Sequence, residues 1–183
     1  MPRLPFMARE DLAPEQRHVY DDIAASRGNV DPNFAVLLNS PEAAARMSPL
    51  GAYVRFQTPL PDRVRVVAVL VTARECKGDY VWTANERQAR NVGVEDTVIE
   101  SIRQGRAPEG LVGQDADVAR FALELLRDHR VSEPAFRAVK TGLGGAMVVD
   151  LLVYIGYYQA LSHALSALEV VELPGGVKST LRG

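Results

Sequence analysis

The stretch from Ala146 to Tyr158 is the most apolar run in the chain, and it limits the possible folds more than any other feature. It carries Asp150 and Gly156 and falls short of the about 20 apolar residues that a membrane-crossing helix needs. Protein therefore has to cover it, as one buried helix from about Ala146 to Leu168. Because this helix is apolar all round and a chain of 183 residues has few surfaces to lay against it, a homo-oligomer is expected. With 47% hydrophobic residues the chain can bury one full core, so one domain over 1–183 is expected, with an N-terminal arm at 1–13 and a polar, structureless tail at 174–183.

The remaining segments also read as helices. Pro14-Glu15 opens a helix that Gly28 closes, Asn29 to Asn33 is a loop by its turn residues, and Phe34 to Leu38 is a short apolar turn. Ser40-Pro41-Glu42 starts the next helix, with Ser40 as its cap, and Pro49 is expected to kink or split it before Gly51 to Phe56. Val64 to Ala73 is rich in β-branched residues and suits a strand as well as a buried helix. Helix is favoured because no second strand exists to pair with it. Asp79 to Val92 is closed by Gly93, and Val94 to Gln104 by Gly105. Arg106 to Gln114 is a loop, the spacing of Val118, Phe121, Ala122, Leu125 and Leu126 is helical, and Ser132-Glu133-Pro134 begins another helix.

Charge excludes some functions. The 21 basic and 23 acidic residues are spread along the chain for a net charge of -2, so no basic face is offered to nucleic acid or to an anionic membrane. The N-terminus lacks an apolar segment of signal-peptide length and the single Cys76 cannot form an internal disulfide, which together point to the cytoplasm. His18, His129 and His163 form no short-spaced ligand pair, so no metal is expected, and no cofactor.

Chemistry-bearing side chains concentrate between Arg74 and Arg90, which hold the only Cys and the only Trp among carboxylates and an amide at a helix start, as a small polar pocket requires. This stretch, with Leu37 to Glu42, Leu125 to Ser132 and Val149 to Tyr158, resembles the carboxymuconolactone decarboxylase-like proteins, which share their fold with alkylhydroperoxidase D. The resemblance spans roughly residues 4 to 173. It implies an all-α domain, assembly as a trimer or hexamer, and a pocket for a small-molecule substrate beside the central motif. Such proteins commonly read acidic-Tyr-acidic-Trp, two residues, then His. Here Asp79-Tyr80-Val81-Trp82-Thr83-Ala84-Asn85 keeps the spacing but puts Asn85 where the His belongs. The peroxidase branch needs a CxxC pair at positions matching Gly78 and Val81 and a Glu near Val66, and all three are missing. A dithiol mechanism needs an attacking and a resolving sulfur, so thiol peroxidase activity is disfavoured.

The candidate catalytic residues are Asn85, Tyr80 and Glu75. Asn85 can polarise a carbonyl or hold an enolate, or else tie its helix to a loop. Tyr80 offers a phenolic acid or a core aromatic, and Glu75 a base if burial raises its pKa, or else a solvated ion pair with Arg74 and Lys77. The candidate substrate-binding residues are Trp82, Cys76, Phe34 and Tyr157, although Cys76 also reads as a small buried hydrophobe and Tyr157 as an interface residue. Asp150, inside an apolar helix, needs a partner such as an arginine. The expected function is a cofactor-free lyase acting on a small unsaturated lactone or oxo-acid. The alternatives are an accessory binding protein that keeps the fold, or a lactone hydrolase or isomerase.

Overall fold

The computed structural model describes residues 2–107 and 109–181, so one position of the expected 106–114 loop and the first and last positions of the expected domain lie outside the described residues, as does position 182 of the tail. Nine α-helices are present among the described residues, in the order α1 Arg17–Arg27, α2 Pro32–Leu37, α3 Pro41–Ala52, α4 Asp62–Glu75, α5 Asp79–Asn91, α6 Asp96–Arg103, α7 Gly113–Asp128, α8 Glu133–Leu143 and α9 Gly145–Ala167. The fold class is all-α, as the sequence implies.

The valine-rich segment is α4, and it forms the axis of the molecule. Val64 and every residue from Val66 to Ala73 are buried, because α5, α7 and α9 pack around it. Helical hydrogen bonds satisfy its backbone internally, whereas a lone strand in that position would leave its backbone groups unpaired in the core. A second, smaller cluster of Leu12, Val19, Ile23, Phe34, Leu38 and Ala44 closes the N-terminal end around α1 to α3. No single helix among the described residues is long and apolar enough to cross a membrane; α8 and α9 meet at a bend of 114°.

The helix ends follow the expected punctuation. Gly28, Gly93 and Gly105 all have positive φ, the left-handed conformation that glycine adopts at least cost. The Ser132 hydroxyl accepts from the Ala135 N–H at the start of α8. Ser40 occupies the cap position of α3 without a side-chain capping bond.

Four local expectations are corrected. The short apolar turn is itself a helix, α2, which Pro32 opens from within the expected loop. Helix α3 runs through Pro49 to Ala52 and gives way only afterwards, to a π-helical turn at Tyr53–Gln57 closed by the Thr58 N–H donating to Tyr53 O at 2.9 Å. Asp150 is paired with a phenol, since the Tyr53 hydroxyl donates to its Oδ1 at 2.5 Å. The tail is not structureless through its described length: Leu173 and Val177 form an antiparallel bridge, and the Thr180 hydroxyl donates to Glu86 Oε2 at 2.6 Å.

Candidate functional site

A cavity of about 230 Å³ opens between α1, α3, α5 and α9, at the small end of ligand-binding cavities. Helix α5 supplies one wall through Tyr80, Val81, Ala84 and Asn85, which share a face because residues four apart stack along a helix. Helix α9 supplies Tyr157, Tyr158 and Leu161, and Arg27 enters from the last turn of α1. Asp31 and Asn33 come from the start of α2, Gly51 from α3, and Arg55 from the π-helical turn; Leu173 and Pro174 close one side.

The arginines set the electrostatics. Arg27 is half-buried, its guanidinium carbon lies 4.3 Å from the centre of the Phe34 ring, and its Nη2 donates to Ser48 O at 3.1 Å. Its Nε is buried with no hydrogen-bond partner, and among the described residues neither Arg27 nor Arg55 forms an ion pair. Desolvation lowers the Arg27 pKa, with Tyr157 opposing the shift. An arginine side chain still keeps its proton in this setting, so the cavity holds a positive charge whose desolvation is not offset by a carboxylate in contact.

The phenols are donors. Burial pushes the Tyr80 and Tyr157 hydroxyls up to about 12 and raises Tyr158 as well. All three remain protonated at neutral pH. Tyr80 comes within 3.5 Å of Asn33 Oδ1, too far for a full-strength hydrogen bond. Asp31, whose Oδ1 accepts from Asn29 at 2.8 Å, is the one carboxylate of the cavity lining.

The structure brings three of the seven expected site residues to this cavity: Tyr80, Asn85 and Tyr157. Asn85 already spends an N–H on Val81 O, at 2.7 Å and one turn back along α5. Trp82 faces the opposite side of α5 and is fully buried, its Nε1–H shared between Glu86 Oε2 at 3.1 Å and Thr180 Oγ1 at 3.0 Å. Glu75 is held by Arg127 through two 2.7 Å bonds rather than by Arg74 or Lys77, and does not line the cavity. Phe34 lies behind Arg27 as its stacking platform.

Cys76 follows α4 and lies off the cavity, and burial beside Glu75 pushes its thiol up to about 11. At Gly78, which takes the place of the first cysteine of a CxxC pair, an added Cβ would sit 2.7 Å from Ser162 Cβ. Only a glycine lets α5 approach α9 that closely.

Arg27, Asp31, Asn33, Gly51 and Arg55 are not among the residues that the sequence singles out, whereas Tyr158, beside Tyr157 on the last helix, is legible as a residue able to reach a pocket. The others sit at a helix end, a turn and a helix bend, and only tertiary packing gathers them.

No protein-family model matches the sequence, and no curated protein matches it. Solved structures do. A peroxidase-related protein from a Silicibacter species is 15% identical with a TM-score of 0.72, covering 98% of this chain and 94% of its own. The alkylhydroperoxidase AhpD core of a peroxidase-related protein from Ralstonia eutropha is 16% identical with a TM-score of 0.71, covering 92% and 90%. The debrominase Bmp8, in complex with 2,3,4-tribromopyrrole, is 12% identical with a TM-score of 0.68, covering 89% and 87%. At these identities the shared property is the backbone architecture, carried over nearly the whole length of both partners, and the chain has the alkylhydroperoxidase D-like all-α fold.

Proposed function

We propose that the protein is a cofactor-free lyase acting on a small unsaturated lactone or oxo-acid that carries a carboxylate. The observation that carries this reading is the half-buried Arg27, which forms no ion pair among the described residues, keeps a buried Nε unpartnered, and faces a cavity ringed by protonated phenols. An arginine fork binds a planar carboxylate or an enolate through charge-assisted bonds, which are worth more in a water-poor cavity. Decarboxylation fits such a site. The bond from carbon to the departing carboxylate breaks, its electron pair passes to the neighbouring carbonyl oxygen, and carbon dioxide leaves. The resulting enolate is held by the guanidinium and takes one proton, from the Tyr80 hydroxyl or from water.

In this reading the roles expected for Glu75, Trp82 and Cys76 pass to residues of the cavity. Arg27 and Tyr157 hold negative charge, Tyr80 is the proton donor, Asp31 is the candidate base, and Asn85 shapes the wall. Thiol peroxidase chemistry forms no part of it, because Cys76 lies off the cavity with its thiol pushed up to about 11.

A second reading, an accessory binding protein with this fold, is favoured by the Asn85 bond to Val81 O, which occupies a group that a catalyst would aim at substrate. Loss of ultraviolet absorbance in a panel of conjugated lactone and oxo-acids separates the two. Turnover that disappears in Arg27→Met supports the lyase. Binding without turnover across the panel favours the accessory protein. We also propose a homo-oligomer, since Val149 and Leu152 on α9 and Phe136 on α8 are exposed; a monomer in light scattering at micromolar concentration would remove that part.

A further inference from the structure

Gly51 lies inside α3 with no positive φ, so its backbone does not require glycine, and a glycine within a helix weakens it relative to alanine. Space provides the reason for it. A Cβ added there would overlap the Tyr157 hydroxyl and come within 2.8 Å of Arg27 Nη2 and 2.9 Å of Tyr157 Cζ. Tyr157 cannot easily retreat: it is buried, and its ring packs edge-on against Tyr158 at 5.1 Å between centroids. The phenol and the guanidinium therefore converge on one patch of α3 because that patch has no side chain. The Tyr157 hydroxyl has no hydrogen-bond partner among the described residues, and both groups line the cavity.

We infer that Gly51 is a positioning residue, and that the gap it leaves creates a two-donor seat, formed by the Tyr157 hydroxyl and the Arg27 guanidinium, for one carboxylate of an anionic substrate. This rests on the proposal that the cavity binds an organic anion, and it adds which oxygen-binding groups act together and what holds them there. The seat predicts a preference for planar monocarboxylates over amides of the same shape, because a neutral amide presents one acceptor and no charge to two donors.

Benzoate serves as the probe, in calorimetric titration of the full chain, with circular dichroism to confirm folding. Arg27→Met is expected to abolish binding, and Gly51→Ala to weaken it roughly ten- to a hundredfold, the range for losing a hydrogen bond to a charged group. Tyr157→Phe should weaken it similarly. Gly51→Ala added to Tyr157→Phe should then cost less than it does in the wild type, because the hydroxyl is already gone, while the methyl still meets the ring carbon and Arg27 Nη2. A merely structural role for Gly51 would move the melting temperature and leave benzoate affinity per folded molecule unchanged, and that result overturns the inference. So does a Gly51→Ala loss that persists in full beside Tyr157→Phe. If Gly51→Ala does not fold, Tyr157→Phe alone decides: unchanged benzoate affinity overturns the seat and a loss of tenfold or more supports it. Equal binding by wild type and Arg27→Met, or no binding by wild type, removes the anion reading itself and the seat with it.

Discussion

The two faces of α5 hold polar groups of opposite standing, although Asn85 on one and Glu86 on the other are neighbours in sequence. On the Glu86 face the carboxylate and its two arginines are paired, and Arg103 Nε alone among these groups is buried without a partner. Glu86 Oε1 accepts from Arg90 at 2.8 Å and Arg103 at 2.6 Å, and its Oε2 accepts from Thr180 and Trp82, while the Arg103 guanidinium lies 5.6 Å from the centre of the Trp82 ring. Burial opposes ionisation of this carboxyl, but Thr180, Arg90 and Arg103 outweigh it and hold Glu86 below its ordinary pKa. On the Asn85 face, Arg27 and Arg55 form no ion pair among the described residues, and the phenols are protonated donors. A paired network fixes structure; a desolvated charge without an ion-pair partner is the feature on which the proposed binding site rests.

The largest effect should come from breaking the closed face. Glu86→Ala is expected to lower stability by about 2–4 kcal/mol in denaturant unfolding, because it leaves Arg103 and Arg90 without the carboxylate that two of their bonds share. Arg27→Met, on the open face, should leave stability unchanged or raise it, since it removes a charge whose desolvation is not offset. A loss for Arg27→Met as large as for Glu86→Ala would erase the distinction between the faces.

Alkaline pH probes the phenols. Tyr80 and Tyr157 titrate from 10.0 in the unfolded chain to about 12 in the folded one. Between these values the unfolded state loses protons that the folded state keeps, so stability falls as pH rises. The melting temperature should be level through pH 9 as far as these groups are concerned and drop between about pH 10 and 12. Tyr80→Phe with Tyr157→Phe should reduce that drop, leaving the share of Tyr154 and Tyr158, which burial also raises, and an unchanged slope in the double variant would show that these other groups cause it.

Much of the architecture is legible in the residues, because helix starts and stops are local chemistry: Pro41 and Pro134 at the openings of α3 and α8 and Gly28, Gly93 and Gly105 at closures need no tertiary information, whereas Pro14 opens a 3-10 turn and α1 itself starts at Arg17. The absence of a pairing partner decides the ambiguous valines of α4 in favour of helix, and that absence is itself visible in the sequence. The site was harder. Arg74 to Arg90 do not form one pocket, because the turn of the helix sends Trp82, Glu86 and Ala89 into the core while Val81, Ala84 and Asn85 face the cavity. Arg27 and Arg55 owe their positions to the close of α1 and to a π-helical turn after α3, and no local pattern announces that these ends meet.

Asn85→Ala should cost no more than about 1 kcal/mol of stability, the value of its one hydrogen bond to Val81 O, and change anion affinity only a few-fold. A hundredfold fall in turnover would return Asn85 to the centre of the chemistry. Cys76→Ser should leave binding and turnover as they are, and the thiol should react slowly with an aromatic disulfide at pH 8, since burial leaves little thiolate there.

Thermal shift tests whether Arg27 makes the open face of α5 an anion site. Wild type and Arg27→Met would be melted with increasing benzoate and, separately, with benzamide. Benzoate is expected to raise the melting temperature of the wild type in a saturable way, benzamide is expected to leave it unchanged, and Arg27→Met is expected to respond to neither. An equal rise with benzamide, or a benzoate response that survives intact in Arg27→Met, would contradict it.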